Sequence, residues 1–243
     1  MNRILFEPDE IVDGIATFGG ARAEHVRNVL HGAVGQVLKT GEVNGKIGTG
    51  EILEMGETVT VRIRHDGEPL PPWVDLVLAP PRPRILKRLL PQLATLGVGR
   101  IFLVGAQKVE KDFWGATLLK EANYRPLLID GLMQGCVSTI LPTVETRRNF
   151  RRFVTDELDA LFPTAKRLVA HPYEAGTGNR EEGTGNGERG RLALAIGPEG
   201  GWTDEEVALL EAHGFARYSL GPRILRTDTA TVALLAQLMP KKF

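Results

Sequence analysis

The chain of 243 residues has one cysteine, Cys136. A single thiol closes no internal disulfide and supplies no cysteine cluster for a metal. The five histidines are scattered, with no His-x-His or His-x-x-x-His pair, so no metal site is expected. Apolar runs fall well short of the ~18 residues of a membrane span. No basic-then-apolar leader opens the sequence, which reads as cytosolic, with no membrane partner. Net charge is also missing, since 30 Lys and Arg balance 30 Asp and Glu. The balance hides an asymmetry. Residues 1–72 carry 7 basic against 11 acidic side chains, whereas residues 82–152 carry 13 against 5. The basic segment is where a polyanion's backbone is expected, although a solvated basic face reads the same way.

Phosphate-cradling signatures are absent too: there is no GxxxxGK[ST] and no GxGxxG. Two other loops stand in the last 48 residues, Ile196-Gly197-Pro198-Glu199-Gly200-Gly201 and Leu220-Gly221-Pro222-Arg223-Ile224-Leu225-Arg226-Thr227. Each follows a short apolar run and precedes a helical pattern. The first leads into a capping box, Thr203 with Glu206, and Trp202 is placed to staple onto Val207. Glycines at 197, 200 and 201 leave backbone groups open to close approach. One Gly-Pro pair usually marks a turn. Two on successive strand ends of a parallel sheet lie where open α/β sheets bind ligands. The Glu199 carboxylate would oppose a polyphosphate. The pattern alone therefore implies a backbone-lined site for a small ligand other than a nucleotide phosphate.

The run Ile196 to Glu206 together with Leu220-Gly221-Pro222-Arg223-Ile224-Leu225-Arg226-Thr227-Asp228-Thr229-Ala230 resembles the ribosomal RNA small subunit methyltransferase E family, of the SPOUT superfamily. The resemblance implies methylation of uridine N3 in 16S ribosomal RNA with S-adenosylmethionine. It further implies an α/β fold: an N-terminal PUA-like β-barrel over residues 1–68 and a C-terminal SPOUT α/β domain with a trefoil knot over residues 73–243. The knot would bring together His171-Pro172, residues 197–201 and residues 221–227. Cofactor contacts are then expected from His171, Pro172, Ile196, Gly197, Pro198, Gly200, Gly201, Leu220, Gly221, Ile224, Leu225, Thr227, Thr229 and Ala230. Arg3, His25 and Arg27 match the family's N-terminal signature and are expected to touch RNA, as are Arg147 and Arg148 of the basic segment. Two departures from the family pattern fall in the middle. Thr95 replaces a common Glu before Leu96-Gly97, and Gln134 to Pro142 lacks a common Arg.

Along the chain, short alternating stretches up to Arg64 read as a small β-rich domain, with one helix from Ala21 to Leu30. The proline-rich stretch Gly67 to Pro72 reads as a stiff linker. Val74–Ala79 is nearly all apolar, as a strand buried on both faces should be. Helices are expected over 85–96, 113–134 and 149–161, with a kink or break at Pro91 and an interruption at Pro126. Residues 174–190 repeat Gly-Thr-Gly-Asn with almost no apolar residue, the composition of a disordered insertion. The last helix, through Met239, is almost free of charge, which points to a homodimer built on it or to a core helix.

Methyl transfer is an in-line displacement, so alignment supplies much of the rate. Uracil N3 is a poor nucleophile until deprotonated, which calls for a base or for cations on the developing oxyanion. Arg223 and Arg226 suit the second task, and Glu199 is a candidate base or a brace for its loop. Two other readings stand beside this one: a catalytically idle RNA-binding module, and a SPOUT enzyme acting on another RNA site.

Overall fold

The computed structural model describes residues 2–172 and 191–241; the insertion expected over residues 174–190 lies outside the described residues. Two six-stranded sheets divide the described chain. The first comprises β1 (Ile4–Phe6), β2 (Ile11–Val12), β3 (Ile15–Phe18), β4 (Val37–Glu42), β5 (Ile47–Met55) and β6 (Val59–Gly67), in the order β1-β4-β5-β6-β3-β2. Its pairs are antiparallel apart from β1 beside β4. The period-two pattern of β6 puts Val59 and Val61 inward, where they meet Phe6, Phe18, Ile52 and Val26 of α1 (Gly20–Asn28).

The second sheet is wholly parallel, in the order β12-β10-β11-β7-β8-β9. Its strands are β7 (Val74–Leu78), β8 (Val98–Val104), β9 (Thr143–Arg147), β10 (Lys166–Ala170), β11 (Leu192–Ile196) and β12 (Ala216–Tyr218). Helices α2 (Pro83–Thr95), α3 (Glu121–Gly135) and α7 (Thr227–Leu238) cover one face, against Leu76, Leu78, Ile101, Leu103 and Leu194. On the other face, Val77, Phe102, Val104, Ala193 and Ala195 pack against a helical segment and α6 (Asp204–Ala212). That segment joins α4 (Phe150–Arg152), a π turn at Phe153–Glu157 and α5 (Leu158–Leu161). Every residue of β7 and β11 is buried, as their apolar runs require.

The exception in β7 is Asp75, fully buried, whose Oδ1 accepts from the backbone N–H of Arg100 at 2.8 Å and from Nη2 of Arg191 at 2.9 Å. Its Oδ2 accepts from Nε and Nη2 of Arg100, at 2.9 and 2.8 Å.

Neither proline divides its helix: α2 runs through Pro91 and α3 through Pro126. The N–H that each lacks would have served Lys87 or Ala122 four residues back, both exposed, where water is at hand. Packing supplies the rest. Leu86, Leu89, Leu90 and Leu93 bury one face of α2, and Gly131 lets α3 come so close that a Cβ there would strike the Pro91 carbonyl. Strand β9 has no counterpart in the sequence reading, because its half-exposed Thr143-Val144-Glu145-Thr146-Arg147 has little apolar content.

The sheets are tied together across the linker. Asn44 accepts the Leu141 N–H through its Oδ1 at 2.8 Å, and Arg125 pairs with Glu7. Arg3, expected to touch RNA, also belongs to this seam. It is 7% exposed, and its guanidinium donates to the carbonyls of Cys136, Thr40 and Gly48. Its Nε and Nη1 donors are thereby committed to holding the two sheets together.

Candidate functional site

Strands β12, β10 and β11 are neighbours, so the loops after them share one edge of the sheet. The structure thus gathers His171-Pro172, the first Gly-Pro loop and the second. His171 donates its N–H to the Tyr218 carbonyl at 3.1 Å, joining the β10 loop to the end of β12. Thr227, buried at the start of α7, directs its hydroxyl at the Gly197 carbonyl at 3.5 Å, joining the two Gly-Pro loops. Gly221 has φ +112°, a backbone state that side chains rarely adopt, and Ser219 holds it by accepting its N–H at 3.1 Å.

The first loop is braced from two neighbouring loops. The capping box forms as its residues predict: Glu206 accepts the Thr203 N–H at 2.9 Å, and Thr203 accepts the Glu206 N–H at 3.3 Å. The other oxygen of Glu206 takes the Gln107 N–H at 2.7 Å, tying α6 to the loop after β8. Lys108 donates to the Gly200 carbonyl at 2.8 Å, its stem lying 2.9 Å from where a Cβ of Gly200 would be. The exposed Glu199 carboxylate accepts the Arg82 N–H at 3.3 Å, and Arg82 donates to Glu110 at 3.0 Å. Arg82 and Lys108 went unread in the sequence. Both follow apolar strand runs, and the carboxyl-edge rule that found the glycine loops points to them as well.

Of the expected cofactor residues, Ile196, Pro198 and Thr227 are buried, while Ile224 is 87% exposed and Leu225 37%. Gly197, Gly201, Leu220, Gly221, His171 and Ala230 are half-buried; Pro172, Gly200 and Thr229 are exposed. Arg223 and Arg226 are exposed on the second loop. A Cβ built on Gly201 or Gly221 would meet nothing within 4 Å, so the space before both turns is open. Trp202, 8% exposed, has its indole N–H without a partner among the described residues, about 3.2 Å from the position a Gly197 Cβ would take.

The expected RNA residues divide. His25 and Arg27 lie half-buried on α1, and Arg27 donates to the carbonyls of Gly56 at 2.6 Å and Glu57 at 2.8 Å. Arg147 turns away from the sheet edge and is held by Glu157 at 2.6 Å and Glu145 at 2.9 Å. Arg148, one residue further, stays at the edge, its guanidinium 5.9 Å from the Trp114 ring centre. No group of three or more metal-binding side chains occurs among the described residues.

Residues 68–239, which include the parallel sheet and both glycine loops, match the family described as RNA methyltransferase domain. The protein is an RNA methyltransferase. Over 246 aligned residues the chain is 32% identical to the ribosomal RNA small subunit methyltransferase E of Treponema pallidum, covering 98% of this chain and 91% of that one. It belongs to the ribosomal RNA small subunit methyltransferase E family. Its fold is similar to that of a Legionella pneumophila methyltransferase solved with bound S-adenosylmethionine, with TM-score 0.72, 26% identity and coverage of 98% and 96% of the two chains. It is also similar to the Neisseria gonorrhoeae ribosomal RNA small subunit methyltransferase E, with TM-score 0.71, 21% identity and coverage of 97% and 95%.

Proposed function

We propose that this protein methylates N3 of a uridine in 16S ribosomal RNA, taking the methyl group from S-adenosylmethionine. The observation that carries the proposal is the meeting of three loops at one sheet edge, two of them glycine turns with open space before them. The residues fit the cofactor: main-chain groups without Cβ atoms offer close approach, and the unpartnered Trp202 N–H marks a donor beside Gly197. When bound, S-adenosylmethionine supplies a methyl group on a sulfonium, ready for displacement. Arg223 and Arg226 then stabilise negative charge on the uracil oxygens as N3 loses its proton. Glu199 acts as a brace, its carboxylate engaged by the Arg82 N–H.

Thr95 and the 134–142 segment, which depart from the family pattern, lie away from these loops. Thr95 donates to the Pro91 and Gly131 carbonyls between α2 and α3, at 2.9 and 2.8 Å. Thr139 donates to the Gly45 carbonyl in the seam. This placement supports an unchanged target. The reading extends to the division into residues 1–68 and 73–243, to closure of the first sheet as a PUA-like barrel, and to a trefoil knot.

Incubation with small ribosomal subunits should yield N3-methyluridine on nucleoside mass spectrometry; a different methylated nucleoside would retire the uridine assignment, and none at all would favour the idle module. Calorimetry should show S-adenosylmethionine binding that EDTA leaves unchanged. Gly200→Val, which must displace the Lys108 stem and fill the loop, should weaken that binding at least about tenfold. Equal affinity in the variant would remove the loop from the cofactor site.

A homodimer through α7 is part of the same proposal. Thr227, Thr231, Leu234 and Leu235 face inward, so a charge at Leu234 would probe the core. The other side presents Thr229, Ala233, Ala236 and Gln237 at helical spacing, a charge-free stripe. Ala233→Glu with Ala236→Glu should convert a dimer to a folded, nearly inactive monomer in ultracentrifugation. A wild-type monomer at micromolar concentration would make α7 a core helix only.

A further inference from the structure

We infer that a cleft beside the first Gly-Pro loop is a subsite for one ribonucleotide of the RNA strand flanking the target, held chiefly by its phosphate; this rests on the RNA methyltransferase reading. The cleft has a volume of about 320 Å³ and opens where β8 and β9 end, against the first turn of α6. A nucleotide fits a space of that order.

The fold sorts the basic run Arg147, Arg148, Arg151, Arg152 into two pairs. Arg147 is neutralised by Glu145 and Glu157, and Arg152 lies 3.5 Å from Asp156. Arg148 and Arg151 both line the cleft, and neither has a carboxylate partner among the described residues. Two uncompensated guanidiniums lining a concave site are the donor set that a phosphodiester takes.

The backbone at Arg148 is held by the neighbouring strand. Gly105 donates its N–H to the Arg147 carbonyl at 2.8 Å, and a Cβ on Gly105 would strike the Arg148 carbonyl. The Arg148 guanidinium lies over the Trp114 ring, 5.9 Å from the centre. Thr203 and Glu205, from the start of α6, and Gln107, from the loop after β8, also line the cleft. Glu206, which also lines the cleft, is engaged by the Gln107 and Thr203 N–H groups. Glu205 would repel a bare anion placed next to it but can accept a hydrogen bond from a ribose 2′-hydroxyl. A lining that is both cationic and hydrogen-bond accepting fits a ribonucleotide better than a free anion. Phe150 lines the cleft and packs on Trp202, ring centres 5.2 Å apart, and Trp202 adjoins Gly197. The cleft is thus one side chain away from the proposed cofactor loop.

The test titrates a labelled single-stranded oligouridylate into wild type, Arg148→Gln with Arg151→Gln, and Arg152→Gln over a range of salt. The double variant should bind about tenfold more weakly or worse, and its salt slope should fall by about 0.7, the change for one lost phosphate contact on a single strand. Arg152→Gln should stay within about twofold of wild type. S-adenosylmethionine binding, equal in all three proteins, certifies the folds. Wild-type affinity in the double variant, or an equal loss in Arg152→Gln, would overturn the subsite. So would inorganic phosphate that quenches tryptophan fluorescence without competing with the RNA, the mark of an adventitious ion only. Failure of wild type to methylate any RNA would count instead against the parent reading.

Discussion

Asp75→Ala is expected to lower the melting temperature by roughly 6–12 °C, the shift that about 3 kcal/mol produces in a chain of this size. The carboxylate is fully buried in β7 and takes four hydrogen bonds from two arginines on β8 and just before β11. Breaking a buried pair by removing one partner costs ~3–5 kcal/mol, because the surviving charge keeps its desolvation and loses its counter-charge. The lower end applies here. The Arg100 and Arg191 side chains are 28% and 38% exposed, so water recovers part of the loss. Arg100 is further committed, stacked 5.0 Å from the Phe162 ring and donating to the Leu161 carbonyl at 3.0 Å, and cannot swing out freely. The Arg191 Nε has no partner among the described residues even with Asp75 present. Asp75→Asn, which keeps the volume and one acceptor, should lose about half as much. A melting temperature within two degrees of wild type for Asp75→Ala would mean that the clasp contributes no net stability.

This clasp was illegible in the sequence for a definite reason. Asp75 sits inside an apolar run that reads as a doubly buried strand, and nothing in the pattern tells which cations will reach it from Arg100 and Arg191. The strand itself was legible, because a parallel sheet covered on both faces demands continuous apolar residues. So were α6 and its capping box, whose residues satisfy each other locally. Non-local facts were not. Pro91 was read as a kink or break and Pro126 as an interruption because propensity speaks only of backbone bonds, whereas the buried leucines of α2 and the close approach at Gly131 keep both helices continuous. The place of Arg3 in the seam was illegible because the carbonyls it donates to, those of Thr40, Gly48 and Cys136, are remote in sequence. Arg147 and Arg148 looked alike as neighbours in a charge run. Strand alternation sends the first to Glu145 and Glu157 and leaves the second at the sheet edge, a distinction that exists only once β9 is known. The Gly-Pro loops were the clearest signal, since the residues that make their turns are also those that leave the backbone open.

Arg226→Ala is expected to lower kcat by roughly 10²–10³ while changing the affinity for RNA by less than about threefold. Arg226 is exposed at the end of the second Gly-Pro loop, with no hydrogen-bond partner or carboxylate among the described residues, and its backbone forms the cap of α7. Because the cap role uses main-chain groups, alanine leaves the helix in place. The side chain is therefore available to the substrate and unneeded by the fold. In the proposed reaction the uracil ring acquires negative charge only as N3 is deprotonated, so a cation aimed at O2 or O4 gains strength in the transition state rather than in the ground state. Its loss should thus appear in kcat and not in KM. Raising the pH ionises N3 without the protein's help, so the gap between variant and wild type should narrow in alkaline buffer. Arg226→Lys should recover only part of the rate, since a single ammonium replaces a planar fork of donors. A variant with unchanged kcat and a raised KM for RNA would place Arg226 in ground-state binding and leave Arg223 to carry the stabilising charge.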